Sequence, residues 1–346
     1  MPEPAVTQIW EEPPRGAAGD LAALIRMSGL EALNTFLDGR SPAPPVARLT
    51  GRRLISAERG TVVYELPVSE WLVGPKGTAH PGVLAFLADA PLLATIQSVL
   101  GPGTVCTTAE VSTTFLGTAS MGDVLLAEGK VIHADGSTGL SEVFIRRSDR
   151  TLVAHGTSRL FIFPPVPQDG EVPELQAPAT DEHEDPDPYL RPAEGGTLSP
   201  EALESTSGLE LLQRQLAGEL PRSPIDNLTG IRLTEAADGH VKFAMPATGW
   251  CANELGTVFG GMVALLASSA GSAAVQSTAP VGTRFTALDM KLNLLRPLFP
   301  DARELTATGT VTHRGRQLSI SSTEVTNEDG KCVAIATGTT MLSQPE

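Results

Sequence analysis

Two kinds of hydrophobic spacing alternate along this chain, and the alternation occurs twice. Leu30 to Leu37 and Leu209 to Leu216 carry apolar residues at helical intervals and end near Gly39 and Gly218, which predicts a short amphipathic helix in each half. A period of two follows: Val241, Phe243 and Met245 alternate with Lys242 and Ala244, the spacing of a strand. After a Gly-Thr loop, Val83 to Leu100 is apolar on nearly every side, so this helix is predicted to be enclosed rather than laid on a surface. The rest of each half reads as strand. Leu288, Met290, Leu292 and Leu294 alternate with Asp289, Lys291 and Asn293, and Asp135-Gly136 and Asp329-Gly330 mark turns. One buried helix wrapped by an antiparallel sheet is an α+β architecture.

The two halves are copies of one another. Ser28-Gly29-Leu30-Glu31 recurs as Ser207-Gly208-Leu209-Glu210, Leu49-Thr50-Gly51 as Leu228-Thr229-Gly230, and Trp71 as Trp250, all at one constant offset. A repeat this long means duplicated domains rather than a solenoid. The division is an N-terminal extension over 1–27, a first domain over 28–163, an acidic, Pro-rich linker over 164–204 and a second domain over 205–346. The linker is expected to be a flexible tether, because it holds too little apolar surface to order itself and is long enough to let the copies pack as a pseudo-dimer.

Composition narrows the functions. The formal net charge of −15 is concentrated between Val166 and Pro200, where Arg191 is the one base, and no basic face is left for nucleic acid. Three cysteines without CxxC spacing argue for a reducing compartment and against a disulfide scaffold or a zinc site. The N-terminus lacks the basic-then-apolar order of an export signal, so the expected location is the cytoplasm. Leu255 to Thr283 is free of charge, but Gly, Ser, Thr and Gln interrupt it, and it reads as a buried helix with its turns rather than a membrane span.

Trp250, Asn253 and Leu255-Gly256-Thr257-Val258-Phe259-Gly260-Gly261, leading into that helix, resemble the PaaI-type acyl-CoA thioesterases of the hot-dog superfamily, here in tandem form. The resemblance implies two hot-dog domains, each an antiparallel sheet wrapped around a long central helix, packed as a pseudo-dimer with composite active sites. It implies hydrolysis of acyl-CoA or acyl-carrier thioesters, with coenzyme A as part of the substrate and no metal or prosthetic group, and a homodimer of the double chain as a partner. The family pattern is an Asn in the loop, a His-Gly-Gly turn opening the helix, and an acid nine positions after the His. The partner domain supplies the acid and often a hydroxyl on the next strand.

Neither copy keeps the whole pattern. The first has His80 and Asp89, but Gly74 in place of the Asn and Pro81 in place of the first Gly; the second has Asn253 and Gly260, but Phe259 for the His and Ser268 for the acid. Across a shared interface these losses are complementary, and they leave one site of Asp89, Asn253, Gly260 and Thr108. A helix N-terminal N–H such as that of Gly260 stabilises a developing oxyanion, and Pro81 has none. A carboxylate can activate water or attack the carbonyl itself, and Ser268 cannot stand in as that base. Asp89 is the one charge between Lys76 and Glu110, an expensive placement in an apolar helix. Thr108, answered by Ala287, reads equally as an orienting hydroxyl or as ordinary strand composition.

Substrate contacts are expected from Phe259 and Gly261 at the acyl end and from Arg314 and Arg316 at the CoA phosphates, although two arginines in a hairpin are also common solvated surface. His80 reads as a packed histidine. The rival from another class is a non-catalytic acyl-CoA or lipid sensor in which Phe259 marks lost turnover. A hot-dog hydratase would need a His paired with the acid, which is not seen here. The second copy could also serve only to complete the core.

Overall fold

Reciprocal capping starts the first conserved-spacing helix as its sequence dictates: the Ser28 amide donates to Glu31 Oε2 at 2.8 Å, and the Ser28 hydroxyl accepts from the Glu31 amide. In the computed structural model, which describes residues 8–167, 175 and 185–343, the first half runs α1 (Leu21–Leu24), α2 (Gly29–Leu37), α3 (Pro45–Thr50), β1 (Arg53–Glu58), β2 (Thr61–Pro67), α4 (Pro81–Gln97), β3 (Cys106–Phe115), β4 (Val124–Ala134), β5 (Thr138–Arg147) and β6 (Leu152–Ile162). The second repeats the series as α5 (Pro200–Ser205), α6 (Gly208–Leu216), α7 (Pro224–Thr229), β7 (Arg232–Ala237), β8 (His240–Pro246), α8 (Gly260–Gln276), β9 (Arg284–Leu294), β10 (Glu304–Arg314), β11 (Leu318–Asn327) and β12 (Cys332–Ser343).

All twelve strands form one antiparallel sheet in the order β1-β2-β4-β5-β6-β3-β9-β12-β11-β10-β8-β7. The two copies join where β3 pairs with β9, from Glu110 opposite Asn293 to Thr114 opposite Asp289. Because these strands are equivalents in the repeat, their pairing relates the copies by a pseudo-twofold. The long helices α4 and α8 are buried along nearly their whole length and pack on each other, wrapped by the sheet. The duplication read from the repeat and the tandem hot-dog architecture implied by the resemblance are therefore the ones observed. No helix among the described residues is long and apolar enough to cross a membrane.

The helices sit very close to the strands that wrap them. A Cβ at Gly129 would lie 2.7 Å from the Pro91 carbonyl oxygen, and one at the equivalent Gly309 would lie 2.3 Å from that of Ala270. Both strands thus need a residue without a side chain where the helix crosses.

The expectation of a flexible tether is corrected over the described part of that segment. Within residues 185–204 and 8–27 the two stretches are anchored at a few points, and they are equivalents that cross to opposite copies. Trp250 Nε1 donates to the Glu12 carbonyl at 3.0 Å, and Trp71 Nε1 donates to the Arg191 carbonyl at 2.9 Å. Trp10 covers Gly230 while Tyr189 covers Gly51. Where the arms meet, Arg191 Nη1 lies 2.7 Å from Glu12 Oε1. Average composition concealed these anchors, since one aromatic ring and one indole hydrogen bond per arm are enough to fix it.

Replacing Gly309 with Ala should lower the denaturant midpoint by the equivalent of about 1–3 kcal/mol, the usual cost of overpacking. An unchanged midpoint with an unchanged m-value would mean that the helix can retreat from the strand freely.

Candidate active site

Asp89 interrupts the apolar run of α4 and is only 4% exposed. Its surroundings come from both copies. Thr108 on β3 donates its hydroxyl to Asp89 Oδ1 at 3.2 Å, and the backbone N–H of Gly261, in the first turn of α8, also favours the carboxylate. Oδ2 lies against the neighbouring residue: a Cβ at Gly260 would be 2.7 Å from it. The carboxylate of the first copy therefore touches the helix N-terminus of the second. Burial raises the Asp89 pKa to about 6, opposed by the Thr108 hydroxyl, the Arg52 charge and the Gly261 N–H. Such a group is mostly ionised at neutral pH and still basic enough to take a proton.

The loop that delivers the α8 N-terminus is shaped by Asn253. Its Oδ1 accepts from the amides of Leu255 at 2.9 Å and Thr257 at 3.1 Å, and its own amide donates to the Thr257 carbonyl at 2.8 Å. Gly256 takes φ of +78°, a conformation that L side chains rarely adopt. The Gly260 N–H, first in the helix, has no hydrogen-bond partner among the described residues. Asn253, Thr257, Phe259, Gly260, Asp89 and Thr108 all line one cavity of about 1120 Å³.

Arg52 is the residue that sequence reasoning missed. It is 2% exposed, it lines the same cavity, and its Nη2 donates to Glu254 Oε1 at 2.8 Å across the two copies. The guanidinium lies over the rings of Phe259 at 4.7 Å and Tyr64 at 5.0 Å. Its Nε and Nη1 have no hydrogen-bond partner among the described residues. Phe259, which replaces the expected His, thus presents an aromatic face to a buried cation. The repeat shows only an asymmetry: the equivalents of Arg52 and Glu254 are Ile231 and Pro75, so this charge pair can form on one side alone.

The equivalent position on the other side is closed. Ser268 and Ala287 stand where Asp89 and Thr108 would be, and together with Phe115 they line a space of about 20 Å³. Pro81 begins α4, and His80 Nδ1 accepts from the Gly82 amide at 3.0 Å, so the histidine caps the helix. Burial, with a smaller contribution from Lys76, lowers its pKa to about 4 and keeps it neutral. His80 also occupies the room that an Asn side chain at Gly74 would need, since a Cβ there would be 3.2 Å from His80 Cβ.

Arg314 and Arg316 are not brought to the cavity. They lie at the exposed end of β10 and in the turn after it, where Arg314 Nη2 bonds Asp238 Oδ1 at 2.7 Å. The arginines that line the cavity besides Arg52 are Arg48, Arg53 and Arg296. Arg48 and Arg53 are paired with Asp187 and Glu65, whereas Arg296 has no carboxylate partner among the described residues. No cluster of His, Cys, Asp and Glu able to hold a metal ion occurs among the described residues.

Comparison with known proteins bears on the fold around this geometry. The family described as the Thioesterase superfamily matches residues 76–154 and again 255–334, once in each copy. Comparison with curated proteins found no match. Among solved structures, an acyl-CoA thioesterase II from Mycobacterium marinum is 11% identical, with a TM-score of 0.51 over 87% of this chain and 98% of its own. A tesB protein from Mycobacterium avium subs paratuberculosis is 13% identical, with a TM-score of 0.53 over 86% and 98%. A protein with a hot-dog fold from Alicyclobacillus acidocaldarius is 14% identical, with a TM-score of 0.52 over 87% and 98%. Identities this low speak for the fold, which extends over both copies. With one family match in each half and a fold shared from end to end, the chain is a tandem, double hot-dog protein whose two copies each match the Thioesterase superfamily.

Proposed function

We propose that this chain hydrolyses acyl-CoA or acyl-carrier thioesters at one composite site, with Asp89 as general base and the N-terminus of α8 as oxyanion hole. The family match in each copy supports thioester hydrolysis in general. The observation that carries the finer reading is the seating of a buried carboxylate from one copy against Gly260 of the other, inside a large cavity. The thioester carbonyl oxygen points at the free N–H of Gly260, where the helix dipole adds to the hydrogen bond. Asp89, held by Thr108, removes a proton from water as its oxygen bonds to the carbonyl carbon. The tetrahedral intermediate collapses with cleavage of the C–S bond, and Asp89 returns the proton to the departing sulfur.

Asn253 acts on the loop rather than on the proton, because its Oδ1 is committed to two backbone amides. Arg52 offsets the charge of Asp89, which burial disfavours, and Glu254 anchors Arg52. For the carrier's phosphates, Arg296 at the cavity is a better candidate than Arg314 or Arg316, since it lines the cavity and has no carboxylate partner among the described residues. The sensor reading draws on Phe259 in place of the expected His. Its packing against Arg52 gives that replacement a role compatible with turnover.

Thiol release from acyl-CoA esters should fall about 10²- to 10⁴-fold in Asp89→Asn, the usual contribution of a general base, and stay at the wild-type level in Ser268→Ala. Binding of CoA esters without any thiol release from the wild type would establish the sensor instead. Gly260→Ala places a methyl group 2.7 Å from Asp89 Oδ2 and should reduce kcat without unfolding the protein, as circular dichroism would confirm.

The rate should rise with pH through about 6 and then level off, because the base works when ionised. Arg52→Met removes a cation that favours the ionised form, so its ascending limb should move to higher pH; an unmoved limb would remove Arg52 from the electrostatics of the site. Stability follows the opposite direction. The folded pKa of about 6 exceeds the ordinary 3.8, so the folded state holds a proton that the unfolded chain releases, and stability is lost as pH rises between those values. Asp89→Asn should escape that loss and be more stable than wild type at pH 8, by up to about 3 kcal/mol, with no such advantage at pH 3. Thermal melts at the two pH values test this.

A further inference from the structure

The cavity continues beyond Asp89 into the first copy, and its lining there changes character. Ala90, Leu93, Ala94 and Gln97 fall on one face of α4 and form one wall. Leu33 and Phe36 of α2 face it. Past Asp89, no acidic or basic residue of α1, α2, α4 or β3 lines the space.

The repeat supplies an internal control. Leu33, Ala94 and Gln97 recur in the second copy as Leu212, Ala273 and Gln276, but Phe36 is answered there by Gln215, Ala90 by Ser269 and Leu93 by Ser272, and the space beside Ser268 is only about 20 Å³. The fold therefore does not demand apolar residues at those three positions, and they are apolar in the copy that carries the carboxylate.

We infer that this chamber takes the acyl group, and that the acyl group is an uncharged hydrocarbon chain of about eight to twelve carbons. The inference rests on the thioesterase reading of Asp89 and goes on to name its substrate class. The length comes from the helix. From Asp89 to Gln97, α4 rises about 12 Å, a distance that a zigzag chain with bonds of about 1.5 Å crosses in about ten carbons. The α4 wall ends at Gln97, the last residue of that helix. A charged or heavily hydroxylated acyl group would be stranded without partners along this wall.

The test is a series of straight-chain acyl-CoA esters from acetyl to palmitoyl, with succinyl-CoA as the charged comparison. It combines thiol release by the wild type with calorimetric binding to the Asp89→Asn variant. The expected result is a rise in kcat/KM of about three- to fourfold per added methylene, the ordinary worth of burying one, levelling near ten carbons, with succinyl-CoA poorest. Leu93→Trp, which fills the middle of the chamber, should move the optimum to shorter chains. A flat or falling series, with hydrolysis still dependent on Asp89, would overturn the chamber and leave the hydrolase standing. Binding that strengthens with chain length but is followed by no hydrolysis would support the chamber and remove the hydrolase.

Discussion

Everything functional in this molecule depends on the antiparallel pairing of β3 with β9. The five residue pairs from Glu110–Asn293 to Thr114–Asp289 turn two separate sheets into one and set α4 and α8 against each other. Without that join, Asp89 would be a carboxylate stranded in an apolar helix, and the α8 N-terminus would open onto nothing. Register matters as much as contact. A shift by one residue would turn Thr108 to the opposite face of the sheet and remove the hydroxyl from Asp89.

The join also explains how a buried charge is tolerated. Burial disfavours the Asp89 carboxylate, while Thr108, Gly261 and Arg52 favour it, and Arg52 is itself buried and tied to Glu254. The first copy contributes the acid and the cation, and the second contributes the anchoring acid and the helix end. Separated, the first copy would keep Asp89 and Arg52 without the Gly261 N–H and the Glu254 anchor, and the second would keep Glu254 without its cation. Site formation and domain pairing are thus coupled through electrostatics as well as through the sheet.

Much of this was legible in the sequence, for identifiable reasons. The two enclosed helices showed in apolar runs that follow no single face, and the duplication showed in fixed-offset matches such as Trp71 and Trp250. The meeting of Asp89 with Gly260 followed from losses that complement each other. Arg52 was not legible by pattern, because an arginine just after a helix-ending Gly usually lies in solvent, and only tertiary packing between Tyr64 and Phe259 buries it. The Arg314-Gly315-Arg316 turn shows the converse: a basic composition says nothing about the direction in which a hairpin points. In the linker, net charge masked Tyr189 and Arg191, which answer Trp10 and Glu12 in the arm of the first copy.

The ion pair between those arms has a further meaning. Glu12 and Arg191 occupy the same position of the repeat, and they touch each other across the pseudo-twofold. In a dimer of identical chains, such a position would face its own duplicate, acid to acid or base to base, and the contact would be repulsive. Joining the copies in one polypeptide lets the two sides of the axis carry opposite charges. The pair therefore acts as a label of identity: a first copy recognises a second copy and repels another first. This is the condition under which one pocket can be kept while its twin is filled in, since a molecule that assembles only as unlike halves always presents the complementary set of residues to the same side.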